Sequence, residues 1–164
     1  MTGIQSDVQT LFKEVMAGVA TPVSIVTAID GGMPYGTTVS AFASLSMEPP
    51  MVLVSLARGS ETLKLVRSSG RFGLNILGAD QASTALSFAK KGGAGKFHGT
   101  RWELNNDLPR IPLAPGWIAC TVAELVDGGD HVIALGNVDA AELVEGRPLI
   151  YHGRLFGTHL PHEG

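Results

Sequence analysis

The chain has 164 residues, 45% of them hydrophobic and only 16% charged, with a formal net charge of −3. That length suits one domain with a full core, and mild acidity without a basic stripe excludes general nucleic-acid binding. No apolar run approaches the ~20 residues of a membrane-spanning helix, and the single cysteine, Cys120, allows no intramolecular disulfide and fits a reducing cytoplasm.

The N-terminal segment MTGIQSDVQTLFKEVM reads as an amphipathic helix rather than a signal peptide, because it lacks a basic start and a continuous apolar stretch. Asp7 as N-cap, with Val8, Leu11, Phe12, Val15, Met16 and Val19 at helical spacing, predicts a helix over about 7–18. PVSIVTAI (22–29) is β-branched and strand-like, and Asp30-Gly31-Gly32 turns it into a partner strand over 35–44. Pro49-Pro50 break regular structure, and MVLVSLA (51–57) predicts a short strand buried on both faces. Ser60 caps a short helix that Gly70 ends, followed by a strand over 71–77. Asp80 caps DQASTALSFAKK, whose Ala82, Ala85, Leu86 and Ala89 form an apolar stripe that stops at Gly92-Gly93. Residues 95–116 read as irregular connection. WIACTVAELVDGG and DHVIALGNVDAAELVEG then predict two long strands, and RPLIYHGRLFGTHL a closing hairpin. Cys120 lies among apolar residues, which marks a buried structural thiol.

Six or more strands joined by short turns, against about three helices, predict a mainly β domain over 1–164: a small antiparallel barrel with peripheral helices. The low charged fraction is compatible with surface hidden in an oligomer, and equally with an apolar-rich monomer.

Common catalytic motifs are missing. GGAGKFHG (92–99) has Phe97 where a Walker loop needs Ser or Thr, and His98 where GxGxxG needs its last glycine. His152, His159 and His162 lack Cys or carboxylate partners at ligand spacing, so no metal site is expected. There is no GxSxG.

One stretch asks for a ligand: YGTTVSAFASLSMEPPMVLVSLARGSET (35–62). Gly36 permits close approach to the backbone. Thr37, Thr38, Ser40 and Ser44 offer hydroxyls, with Thr38 and Ser40 on one strand face. Ser55, Ser60 and Thr62 gather a second hydroxyl group beside a helix N-terminus, which favours an anion such as phosphate. Arg58, Lys90, Lys91 and Lys96 add positive charge nearby. The same hydroxyls also serve as turn caps and strand-edge partners in many folds.

GTTVSAFASLSMEPPMVLVSL, with FAKKGGAGKFHG, GDHVIALGNV and PLIYHGRLFG in order over about residues 10–158, resembles the flavin reductase-like family, whose fold is the FMN-binding split barrel. The closest resemblance is to the reductase components of two-component flavin-dependent monooxygenases. It implies an NAD(P)H:flavin oxidoreductase that passes hydride from NADH, with NADPH less favoured, to FAD or FMN and releases reduced flavin to a separate oxygenase. It also implies a homodimer with flavin sites near the subunit interface. By the same resemblance Thr37, Thr38, Val39, Ser40, Ala41 and Ser44 line the isoalloxazine and ribityl chain, with Ser55, Leu56 and Ala57 facing them from the next strand. Ser60 and Thr62 lie near the phosphate, and Ala89, Lys90, Lys96 and Phe97 close the polar end. His131 of the GDH triplet, the one candidate catalytic residue, lies with Tyr151, His152, Gly153 and Arg154 on the nicotinamide side. Relatives usually carry an acidic residue where this chain has Gly95. Two other classes stay open: a split-barrel flavin carrier or pyridoxamine phosphate oxidase-like protein, and an interaction module without cofactor.

Overall fold

A computed structural model of the chain describes residues 2–164, with side chains from Asp7 onward. Among these residues are three α-helices and twelve strands, every paired strand antiparallel to its neighbour. Helix α1 spans Thr2–Ala17, so Asp7 lies inside it instead of capping it. The short β1 (Thr21–Pro22) leads into β2 (Ser24–Asp30) and β3 (Met33–Val39). The turn between β2 and β3 carries Gly31 and Gly32 at φ 54° and 82°, the positive values that a two-residue hairpin needs and that side-chain-bearing residues resist. The partner strand expected over 35–44 is interrupted: β3 ends at Val39 and β4 starts at Phe42, running to Met47 before β5 (Pro50–Ala57).

Helix α2 (Glu61–Ser69) has the expected caps, with Ser60 Oγ accepting from Leu63 N and Gly70 at φ 69° returning its N–H to Val66 O. After β6 (Arg71–Ile76) comes α3 (Ala82–Ala89), whose N-cap position is held by Gln81 and not by Asp80. Gln81 instead turns its Oε1 back to accept from Gly78 N at 2.9 Å. The buried face of α3 is Ala85 and Phe88, which leaves Leu86 and Ala89 exposed and corrects the expected stripe. The bulkier Phe88 takes the core because it buries more apolar surface than alanine.

The segment expected to be irregular holds a 3₁₀ turn (Ala94–Phe97) and a small hairpin of β7 (Glu103–Asn105) and β8 (Leu108–Arg110). The long strands β9 (Gly116–Gly128) and β10 (His131–Leu143) follow, and β11 (Ile150–His152) with β12 (Leu155–Gly157) closes the chain as a hairpin paired to β1.

Seven strands form one sheet in the order β3-β2-β6-β9-β10-β5-β4. Laid flat, its two edges would stand roughly 29 Å apart at ~4.8 Å per strand. Yet β3 and β4, the edges, are joined only by Ser40 and Ala41, a link that spans at most roughly 11 Å. The sheet therefore rolls into a barrel whose edges meet without a continuous ladder. Ser55 N, in β5, donates to Ala41 O at 2.9 Å across that junction.

The barrel interior holds Val26, Ala28, Val54, Leu56, Phe72, Leu74, Cys120, Val132 and Ala134, sealed by Leu63 and Val66 of α2. Burial there pushes the Cys120 thiol up to about 12, which makes it inert at neutral pH. A second core outside the barrel packs Phe88 of α3 and Phe97 against Val23 and Ile25, so β2 is covered on both faces. Only one face of β5 is fully buried: Val52, Val54 and Leu56 point inward, with half-buried residues between them.

Candidate functional site

The seam where the rolled sheet meets itself opens into a groove of about 190 Å³, lined by Thr37 through Ala41 of the β3 end, by Ser55, Leu56 and Ala57 of β5, and by Ser60 and His131. β3 is held there from behind. Ser24 Oγ donates to Val39 O at 2.7 Å, and Thr38 Oγ1 donates to Ala85 O at 2.6 Å. The Thr38 hydroxyl is thus spent on docking α3, while the ladder with β2 ends at Val39 and leaves Ser40 and Ala41 outside it. The groove contains no carboxylate among its lining residues, only small side chains, hydroxyls, backbone and one imidazole.

Past Ser60 the groove joins a larger hollow of about 780 Å³, within the ~300–1,000 Å³ typical of ligand sites. Thr37, Ala57 and Ser60 border both spaces, and Thr62, Ala89, Lys90 and Lys96 line the larger one. The N-terminus of α2 opens onto it. Leu63 N bonds Ser60 Oγ and Lys64 N bonds Ser60 O, so the remaining first-turn N–H groups of Glu61 and Thr62 are the ones available to an anion.

Several expected roles change. Gly36 does not open the backbone to a ligand: a Cβ there would meet Ile25 and the Phe88 ring at 3.1 Å, so the glycine serves α3 packing. Lys96 Nζ donates to Gly36 O at 3.2 Å and Phe88 O at 3.1 Å, clipping β3 to the end of α3, and burial pulls its pKa below the ordinary lysine range. Arg58 turns away to the β9–β10 turn and is not among the lining residues. Ser44 stands on β4 opposite Val52, exposed and outside both spaces, because β4 begins a new alternation after the break at Ser40. Phe97 is a core residue, edge-on to Phe88 at 4.7 Å.

Tyr151, His152, Gly153 and Arg154 do not border the groove. They form the β11–β12 hairpin, where Gly153 and Arg154 make the two-residue turn at φ 58° and 64°. Gly153 N donates to Ala17 O at 2.8 Å, and Arg154 Nη2 donates to Glu14 Oε1 at 2.6 Å. That ion pair holds the Glu14 carboxyl below the usual range. Sequence reasoning missed Tyr35, Gly59, Glu61, Gly92 and Gly93, which border the hollow. Tyr35 was within reach, since period-two alternation places it on the same face as Thr37.

His131 opens β10, paired with Ala57 of β5 and Gly128 of β9, which sets its ring at the groove rim. Its Nδ1 lies 2.7 Å from Asp130 Oδ1. Taken together, a narrow groove of small side chains and a roomy hollow at a helix N-terminus suit a flat ring system joined to a phosphate-bearing chain.

Comparison with known proteins decides the family. A model of the flavin reductase like domain matches residues 16–159. This chain belongs to the flavin reductase-like family. The flavin reductase-like chain is 40% identical over 151 residues to the reductase component of a 4-nitrophenol 4-monooxygenase/4-nitrocatechol 2-monooxygenase from Rhodococcus opacus, covering 92% of this chain and 81% of that relative. Its split barrel superposes on nitrilotriacetate monooxygenase component B from Mycobacterium thermoresistibile with a TM-score of 0.90 at 31% identity, covering 98% of this chain and 91% of the other. The NADH:FAD oxidoreductase of Streptomyces globisporus C-1027, solved in complex with NAD and FAD fragments, gives a TM-score of 0.88 at 27% identity over 95% of each chain.

Proposed function

We propose that this chain is an NADH-dependent flavin reductase of the cytoplasm, which reduces FAD or FMN and supplies the reduced flavin to a separate oxygenase component. The observation that carries the reading is the continuous groove and hollow at the barrel seam, lined by small and hydroxyl side chains and ending on a helix N-terminus. Hydride transfer is chemistry that the nicotinamide and flavin supply between them. The protein's part is placement, which explains why no catalytic dyad or triad is present in the sequence.

The β3 end and the facing stretch Ser55–Ala57 form the slot for the ring system, and their small side chains let backbone groups reach the ring edge. Ser60, Thr62 and the α2 N-terminus receive phosphate, with Lys90 and Lys91 adding charge at the hollow. His131 at the rim meets the nicotinamide. No paired basic cluster accompanies Arg154 in the sequence to receive a 2′-phosphate, which favours NADH over NADPH.

The nicotinamide role of Tyr151 to Arg154 requires a second copy, because the hairpin lies away from its own groove. A homodimer is supported by α1, whose Val8, Leu11, Phe12 and Val15 are all more than 60% exposed, an apolar row that water disfavours. The reading is tested by steady-state NADH oxidation with and without added free flavin. Acceleration by FAD or FMN is expected; if flavin leaves the rate unchanged, the reductase reading fails.

A further inference from the structure

We infer that Arg58 and Asp130 are positioning residues that hold the His131 ring with Nε2 directed into the groove, where it accepts a hydrogen bond from the carboxamide N–H of the bound nicotinamide. The inference rests on the proposed reductase function. Arg58 follows directly after groove residue Ala57, and Ala57 is the strand partner of His131. From there Arg58 grips the turn before His131 at three points. Its backbone N donates to Asp130 O at 3.0 Å, its Nε to Gly129 O at 2.7 Å, and its Nη2 to Asp127 Oδ1 at 2.9 Å. The turn is thereby tied to the groove's own strand rather than left to swing.

Asp130 then acts on the ring itself, through the 2.7 Å contact with Nδ1. An ionised carboxylate only accepts, so Nδ1 must carry the hydrogen and the neutral ring presents Nε2 as an acceptor. The hydrogen bond from His131 keeps the Asp130 carboxyl below the usual carboxylate range, so it stays ionised and accepting at neutral pH. The Asp130 side chain is almost fully exposed, so the pair contributes little to stability. What it sets is direction. A primary amide offers N–H donors, and a fixed acceptor at the rim orients it at little entropic cost.

The experiment uses the full chain. In mildly alkaline buffer, two-dimensional ¹⁵N–¹H spectra of the flavin-free protein, with the His131 ring signals assigned by their loss in His131→Gln, read the tautomer directly. Nδ1–H is expected in the wild type and a mixture in Asp130→Ala. Steady-state kinetics should show the KM for NADH raised about fivefold in Asp130→Ala, as the share of rings in the accepting tautomer falls. Arg58→Ala should shift it in the same direction, with flavin affinity held within about twofold. A wild-type ring in the Nε2–H form overturns the proposal even if Asp130→Ala and Arg58→Ala fail to fold. So does a normal KM for NADH in Asp130→Ala when His131→Gln is impaired. If His131→Gln itself leaves NADH kinetics unchanged, the placement of nicotinamide at His131 falls as well.

Discussion

The groove face and the α1 face of this molecule are built on opposite terms. Behind and beside the groove, supporting polar side chains are tied to backbone: Ser24 to Val39, Thr38 to Ala85, Lys96 to Gly36 and Phe88, and Arg58 to Gly129. Across α1 a row of large apolar side chains faces outward, and the described tethers to the β11–β12 hairpin are the Arg154–Glu14 pair and the Gly153–Ala17 hydrogen bond. One face is preorganised for a small planar ligand, because fixed dipoles and locked rotamers cost little to use on binding. The other keeps a row of apolar surface exposed to water.

The sharpest way to break the contrast is to charge α1. Leu11→Glu with Phe12→Glu should convert a dimer to monomers, read by light scattering, and lower NADH turnover at saturating flavin by about tenfold or more if the hairpin acts on the partner's groove. Wild-type protein that is monomeric at working concentrations would remove the basis of the comparison.

A second test asks what the groove side's glycine is for. Gly36→Ala places a Cβ 3.1 Å from Ile25 and Phe88, an overpacking expected to cost about 1–3 kcal/mol of stability. The melting temperature should fall while flavin affinity at saturation of the native fraction changes little. The reverse pattern, lost affinity with unchanged melting, would restore Gly36 as a point of ligand approach.

The smallest expected effect concerns the α1 tether. Glu14 has a carboxyl held below its ordinary value by the hydrogen bond and charge of Arg154. Its folded-state pKa is therefore depressed, so its contribution is present above the ordinary carboxylate range and fades as pH falls through the lower folded value. Both partners are exposed, and salt should mask the effect. The protection of β11–β12 hairpin amides, with exchange rates corrected for their intrinsic pH dependence, should fall slightly on acidification in the wild type and not in Glu14→Gln.

Much of the frame was readable along the chain because its signals are local. Ser60 and Gly70 bracket α2 through bonds within four residues, and Gly31-Gly32 turn β2 into β3 through their own φ angles. The TTVSA run was recognisable as a lining because small and hydroxyl residues have little reason to fill a strand otherwise. The α3 stripe was misjudged because alanines and Leu86 match the helical period as well as Phe88 does. Which side turns inward depends on Ile25 and Phe97, remote in sequence. The roles of Lys96 and Arg58 were similarly hidden, since their partners lie up to 71 residues away.

From its residue order alone the chain determined the class of fold, the turns and caps, the family it resembles and the stretch that forms a slot. Those depend on short-range geometry and on side-chain type, both written locally. The tertiary structure alone decided that β3 and β5 meet at a seam, that His131 reaches its rim, and that the Tyr151–Arg154 hairpin lies away from the groove of its own chain. Rolling seven strands until their edges meet juxtaposes residues far apart in sequence, and only the closed barrel specifies which of them share one space.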